Sequence, residues 1–405
     1  MTISKSINPN SNGVTLYILS LVTWVQSLCT AGMLLIPTLA THIAISLEVP
    51  TSLVGIQISF LYFVAMFSSL QSATFVRRFG GCRTSQIAII FVILGCMMAL
   101  MNSVYGMLAC TIFLGLAYGI NGPAAADLLT QFTPSARRNL IFSIKQTGVP
   151  LGGILISITG PPLASLWGWK SAFVAIGVVC LLTLFILQHR RHYWDESRNP
   201  LSRTKKLNFL SFLDKGRPFL WLGASGFFLS SVQICLLSFA VIFMVESLLI
   251  PLITAGFVAS IIHFSGMVGR ISWGFVADLL GDSILVLLFL SGMTSLFFII
   301  LVISGYFSSA WISMIVLIAS GLSVISWNGV YLAEAARRSD SNDVSEATAA
   351  ALTFTFFGAL VGPSLFGLVL WYTNSYHAAF LLVSFQGMLA FFCLWRCWFS
   401  DNQSV

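Results

Sequence analysis

Charge is what this sequence has least of. Only 8 % of its 405 residues are Asp, Glu, Lys or Arg, against 57 % that are hydrophobic; an ordinary soluble domain carries about 25 % charge. A soluble fold keeps a polar exterior, and too few polar residues are present to make one. That scarcity excludes a disordered chain, a nucleic-acid module and a typical cytosolic enzyme. The eight cysteines are scattered through apolar runs without the paired spacing of a zinc site. They therefore read as apolar fillers or lipid-facing residues, not as a secreted disulfide scaffold. No Walker loop is present, which argues against direct ATP drive. No nucleophile constellation and no His/Glu cluster with metal spacing occurs, so the reading is of a protein that is not an enzyme and uses no cofactor or metal.

What is present is a series of long apolar stretches, with a mean hydropathy of +0.93. A transmembrane helix needs about 20 apolar residues to cross about 30 Å of hydrocarbon. Residues 84–126, 283–333 and 347–395 contain no charged residue at all. As a single helix the middle run would reach about 75 Å, so each must fold back once. The turns fall at Asn102-Ser103, Ser304-Gly305-Tyr306 and Asn374-Ser375-Tyr376-His377. The other spans lie near 14–41, 50–74, 140–163, 171–188, 219–245 and 250–273, which makes twelve. The first is too long for a signal-peptide core, and no cleavage is expected.

The net charge of +7 acquires meaning from its placement. With the N terminus inside, eighteen of the twenty basic residues fall at the cytoplasmic side, Lys170 alone falls outside, and Lys145 alone lies within a helix. The opposite orientation would invert the bias, so both termini are expected in the cytoplasm and the host is a cytoplasmic (inner) membrane.

The longest hydrophilic stretch divides the chain into a six-helix bundle at 1–188, a cytoplasmic linker at 189–218 and a second six-helix bundle at 219–405. The halves repeat in register. Arg137-Arg138 precedes the fifth span and Arg337-Arg338 the eleventh; Gly148 and Gly152 are matched by Gly358 and Gly362; Trp169-Lys170-Ser171-Ala172-Phe173 opens the sixth span as Tyr376-His377-Ala378-Ala379-Phe380 opens the twelfth. The expected fold is an all-α membrane protein of two pseudo-symmetric bundles, a pattern found in alternating-access carriers.

Between the eighth and ninth spans the chain reads Gly269-Arg270-Ile271-Ser272-Trp273-Gly274-Phe275-Val276-Ala277-Asp278-Leu279-Leu280-Gly281-Asp282. Gly274, Asp278 and Gly281 resemble the Gly-x-x-x-Asp-x-x-Gly cytoplasmic signature of the major facilitator superfamily, here in its second-half copy. In the first-half position, Ala73 to Arg83, only Gly80 and Arg83 match; Ala73 replaces the glycine and Arg77 the aspartate. The arginine usual early in the fourth helix is also absent. With twelve spans and the duplication, the resemblance covers nearly the whole chain.

The resemblance implies a latch between the halves on the cytoplasmic side. Asp278 would approach Arg137 and Arg138 at the start of the fifth span. Arg77 or Arg78 would approach Asp343 and Glu346 at the start of the eleventh, a charge swap that keeps the latch. The other reading makes these charges solvated loop residues that set topology. Arg270 is placed at the same membrane edge, and Asp127 and Glu334 end the fourth and tenth spans there, joining the gate or solvating helix ends.

Lys145 lies about 8 Å inside the fifth span, where a charge needs a cavity or a partner. It is either an anion-binding group on the path or a lysine snorkelling to the interface. His263, in the middle of the eighth span, either couples protons or is a neutral histidine bonded to its surroundings. In this family helices 1, 4, 7 and 10 line the cavity; their polar residues Gln26, Tyr118, Asn121, Gln233, Trp327, Asn328 and Tyr331 are candidate substrate contacts or interhelix glue. Gly148-Val149-Pro150-Leu151-Gly152-Gly153 only partly resembles the glycine-rich signature of drug antiporters, with the wrong spacing. No acidic group lies in mid-membrane. The reading is therefore a monomeric secondary transporter that takes up a small organic anion with H+. An exporter of a metabolite, siderophore or drug, and a non-transporting membrane sensor, are the alternatives.

Overall fold

The computed structural model describes residues 12–132, 138–196, 217–306, 310–338 and 344–402. Arg137 and Asp343 lie outside the described residues, as do the side chains of Arg138 and Glu346. Fifteen helices follow in chain order: α1 (Asn12–Thr38), α2 (Ala40–Leu47), α3 (Leu53–Phe79), α4 (Gly81–Ala99), α5 (Val104–Phe132), α6 (Arg138–Gln146), α7 (Gly148–Trp167), α8 (Lys170–Trp194), α9 (Arg217–Glu246), α10 (Leu252–Leu280), α11 (Ser283–Tyr306), α12 (Ala310–Val324), α13 (Asn328–Arg337), α14 (Val344–Thr373) and α15 (Tyr376–Asn402). They make twelve spans long and apolar enough to cross a bilayer, because α6 with α7 and α12 with α13 each form one interrupted crossing.

Helix ends follow local chemistry. Asn102 and Asn374 adopt the left-handed conformation (φ 51° and 50°) at two of the expected turns, a conformation Asn tolerates better than most residues. α11 instead continues as helix through Ser304-Gly305-Tyr306, where a turn was expected. Gly80 and Gly281, the glycines closing the two signature copies, have φ +90° and +67°, which side chains resist. α8 runs past 188 to Trp194.

In the first bundle α1 packs on α5 and α7, α3 on α5, and α4 on α5 and α8; in the second α9 packs on α14 and α15, α10 on α12, and α11 on α12 and α15. The matched glycines have matched jobs. Cβ atoms at Gly148 and Gly152 would strike the α1 backbone at Thr23 and Ser27, and at Gly358 and Gly362 would strike α9 at Phe227 and Ser231. Each removes a side chain so that two helices can meet closely. All eight cysteines are buried and none forms a disulfide among the described residues, which settles them as fillers.

The bundles meet along α3 with α14, α7 with α10, and α1 with α9. The seal is tightest away from the linker: the Ser364 amide donates to Ser59 Oγ at 3.1 Å, Gly55 lies on the Pro363 carbonyl, Gly367 on that of Ser52, and Gly256 on Ser157 and Pro161. We call this the distal end, and the opposite one, where α8 stops and α9 starts, the linker end.

Candidate functional site

The first-bundle candidates converge on one amide. Lys145 Nζ, at the end of α6, donates to Gln26 Oε1 on α1 at 2.9 Å, and Asn121 Nδ2 on α5 donates to the same oxygen at 2.8 Å. One carboxamide oxygen has two lone pairs and serves both. All three residues are buried, with exposures of 6 %, 5 % and 0 %. Asn121 Oδ1 has no partner among the described residues.

The second bundle repeats half of this arrangement. Asn328 Nδ2 on α13 donates to Gln233 Oε1 on α9 at 2.8 Å. Each residue lies 207 positions after its counterpart (26 to 233, 121 to 328), and the same step joins Asp127 to Glu334 and Gln131 to Arg338. That last correspondence is also a bonding one: Gln131 donates to Asp127 at 2.8 Å, and Arg338 to Glu334 at 2.7 Å. In the fifth and eleventh spans the matched glycines set a step of 210, which takes Lys145 to Thr355, so the duplication keeps its amides and loses its cation.

A second cation comes from the other bundle. Arg270 lies ten residues before the end of α10, deeper than the membrane edge expected from sequence, and is half-buried. Its Nη1 donates to the Gln146 carbonyl at 3.1 Å and its Nε to the Ile325 carbonyl at 3.0 Å. It acts electrostatically on Tyr118 of α5 and His263 of its own helix. Tyr118 packs edge-on against Tyr62, ring centroids 5.8 Å apart. The His263 imidazole covers the backbone at Gly153, and its Nδ1 has no partner among the described residues. A cavity of about 10 Å³ adjoins it, lined also by Thr38 and Ser157. Neither Lys145 nor Arg270 has a carboxylate partner among the described residues.

Two glycines related by the step of 207 open this region. Positions where Cβ atoms would sit on Gly122 and Gly329 have nothing within 4 Å, and each starts a half-exposed or exposed helix face continued by Ala126 and Ala333. Open space thus lies beside each amide pair, at the glycine that follows its asparagine on the side of the linker end. Trp327 and Tyr331 do not line it. They pack against each other, centroids 5.3 Å apart, inside the second bundle at exposures of 1 % and 0 %, and the Tyr331 hydroxyl donates to the Ala351 carbonyl at 3.1 Å. Trp327 ends the three-residue break between α12 and α13 in a helical conformation (φ −67°, ψ −25°), and Asn328 and Gly329, half-buried and exposed, follow it.

The remaining charges ring the linker end. Arg77 and Arg78 are exposed at the end of α3, and Arg138 opens α6. Asp278 is exposed and makes no hydrogen bond or ion pair among the described residues. Gly274 borders open space. Asp127 bonds within its own bundle, lying against Gly81. Glu334 is fully buried and accepts from Arg337 at 2.8 Å and Arg338 at 2.7 Å. Sequence reasoning missed Asp195. Its two oxygens accept the Cys82 and Arg83 amides at 2.8 and 2.9 Å, capping α4 from the end of α8. Asp282 caps α11 from its own chain end, through the Ile284 and Leu285 amides. Gly81 stands where the second copy has Asp282, so the start of α4 lacks a cap of its own and is held by a carboxylate from the end of the sixth span; an acid directly before the linker was the available signal.

Comparison with known proteins agrees with this architecture. A probable hexose phosphate transport protein of Chlamydia pneumoniae is 24 % identical over 227 residues, 46 % of this chain and 49 % of that protein. A probable anion transporter 4, chloroplastic, of Oryza sativa subsp. japonica is 27 % identical over 94 residues, 23 % of this chain and 16 % of that protein. The chain thus spans about half the length of the first of these relatives and less of the second. Among solved structures, a POT family transporter in complex with 5-aminolevulinic acid superposes with a TM-score of 0.77 at 14 % identity, covering 96 % of this chain and 97 % of the other. A bacterial homolog of the human lysosomal transporter Spinster, in an inward-facing and occupied conformation, gives 0.70 at 15 % over 96 % and 97 %. The profile of the Major Facilitator Superfamily matches residues 19–339. The profile match over most of the chain, with twelve spans long and apolar enough to cross a bilayer among the described residues, shows that the chain belongs to the Major Facilitator Superfamily.

Proposed function

We propose that this transporter carries a small organic anion into the cell together with protons. One observation carries the reading: two basic groups, the buried Lys145 from one bundle and the half-buried Arg270 from the other, are bonded among the described residues to neutral oxygens. A cation at this depth is costly unless something compensates it. With amides and carbonyls as the partners among the described residues the region keeps a net positive charge, which an anionic solute would neutralise. The names of the two curated relatives, one a hexose phosphate carrier and one an anion transporter, point the same way.

In this reading Gln26, Asn121 and Tyr118 flank the anion on one side and Gln233 and Asn328 on the other, while Trp327 and Tyr331 support the tenth span from behind. His263 takes up the coupling proton. The bundles at 1–188 and 219–405 rock about this site, joined by the linker at 189–218, with the linker end and both termini cytoplasmic and the chain acting as a monomer. When the linker end closes, the charges of Arg77, Arg78, Asp127, Arg137, Arg138, Asp278, Glu334 and Glu346 meet.

The test is uptake into proteoliposomes under an imposed proton gradient. Radiolabelled carboxylates and sugar phosphates are expected to accumulate, and Lys145→Ala to abolish that uptake. Accumulation of organic cations by the parent protein, unaffected by Lys145→Ala, would overturn the reading.

A further inference from the structure

Two membrane crossings are broken at the level of the site, one in each bundle. α6 stops at Gln146 and α7 begins at Gly148; α12 stops at Val324 and α13 begins at Asn328. In an unbroken helix the Gln146 carbonyl would accept the amide four residues on. That residue is Pro150, which has no N–H to give. Ile325 lies in the three-residue turn of the other break. Both carbonyls end on a single side chain, that of Arg270, at 3.1 and 3.0 Å. Gln146 belongs to the first bundle and Ile325 to the second, so one guanidinium ties the weak point of the fifth span to the weak point of the tenth. Lys145 is the residue next to the tie.

We propose that Arg270 is the positioning residue through which an arriving anion unlocks the two bundles. Without solute, its guanidinium holds α6 to the α12–α13 break. A carboxylate or phosphate entering between Lys145 and Arg270 takes those donors and sets α6 free to move on its break while α7 stays packed against α10. This rests on the anion reading above. The exchange runs in that direction because a planar guanidinium meets an oxyanion in two parallel charge-assisted bonds, stronger than its bonds to two neutral carbonyls. A solute shifts a conformational equilibrium only by its difference in affinity for the two states. Here the difference is whether the guanidinium is already engaged.

The test is a distance measurement between the linker ends of α5 and α13. The native cysteines are all buried, so spin labels can be placed at Thr130→Cys and Ala333→Cys, both exposed positions. Two variants address the tie separately. Arg270→Lys keeps the charge but replaces the fork by a compact ammonium. Pro150→Ala leaves Arg270 alone and gives the Gln146 carbonyl an amide within its own helix, so it serves even if the arginine variant folds poorly. The solute-free parent is expected to show one narrow distance population. Each variant should add a second population holding at least about a third of the molecules, and the double variant should go no further than either. Inorganic phosphate, pyruvate and glucose 6-phosphate are the probes, with binding followed by calorimetry; a probe that binds should give the parent the variants' second population. Distributions in both variants that superimpose on the parent would overturn the tie. A probe that binds but leaves the parent unchanged would overturn the unlocking step. If no probe binds although both variants shift, the anion reading and the unlocking step fail together and the tie alone stands.

Discussion

At the scale of single residues, the site is built from neutral amides that hold charge without neutralising it. Gln26 Oε1 is the acceptor for both Lys145 and Asn121. Removing such an acceptor leaves buried donors unpaired, a cost of about 1–3 kcal/mol for a neutral group and more for a charged one. A sharper change is Gln26→Glu, which keeps the shape and both hydrogen bonds but pairs Lys145 with a carboxylate. The protein should stay folded, with a thermal midpoint no lower than the parent's, while anion uptake falls by at least about tenfold, equivalent to ~1.4 kcal/mol. Undiminished uptake would show that the positive charge at Lys145 is not what the solute meets. Residue types were readable in advance here: Gln26, Asn121, Gln233 and Asn328 stand out as amides in apolar helices. Their pairing was not, since the 207-residue step in the sequence says nothing until helix register brings those side chains together. Trp327 was misleading for a physical reason. Its ring packs on Tyr331 inside the bundle core, and which face of a helix meets its neighbours is decided by tertiary packing that composition does not encode.

At the scale of elements, the interrupted helices matter more than the continuous ones. Pro150 stands in plain view in the sequence, but the sequence could not show that the carbonyl it leaves without an amide is met by a side chain from the opposite bundle. Arg270 was read as an edge residue because charge usually marks the end of an apolar run; its partners are main-chain oxygens, which sequence patterns do not reveal. The same holds for Asp195, which caps α4 across more than a hundred residues of chain. The close approach of α7 and α10 at Gly153 and His263 yields a prediction at this scale. A methyl group at Gly153 would occupy the space of the imidazole, so Gly153→Ala should displace His263 without touching Lys145 or Arg270. If His263 couples the proton, gradient-driven accumulation should fall about fivefold or more while exchange of labelled for unlabelled anion, which needs no gradient, continues. Equal loss of both, or of neither, would remove His263 from the coupling step.

At the scale of the whole molecule, the fold was the most legible feature. Twelve crossings follow from charge-free run lengths and the fixed thickness of hydrocarbon, and the duplication follows from motifs repeated in register. The symmetry of the bundles and the asymmetry of the charge together make the mechanical proposal: two similar halves, in close contact toward the distal end at Ser59 and Ser364, rock about a path that passes the open space beside Gly122 and Gly329 on the side of the linker end. Gly122→Cys and Gly329→Cys, reconstituted in one orientation and probed with a membrane-impermeant thiol reagent from each side, test that proposal most directly. The account predicts labelling from the linker side in the resting protein, and labelling from the distal side as well once transport is under way. Labelling confined to one side at every stage of transport would contradict it.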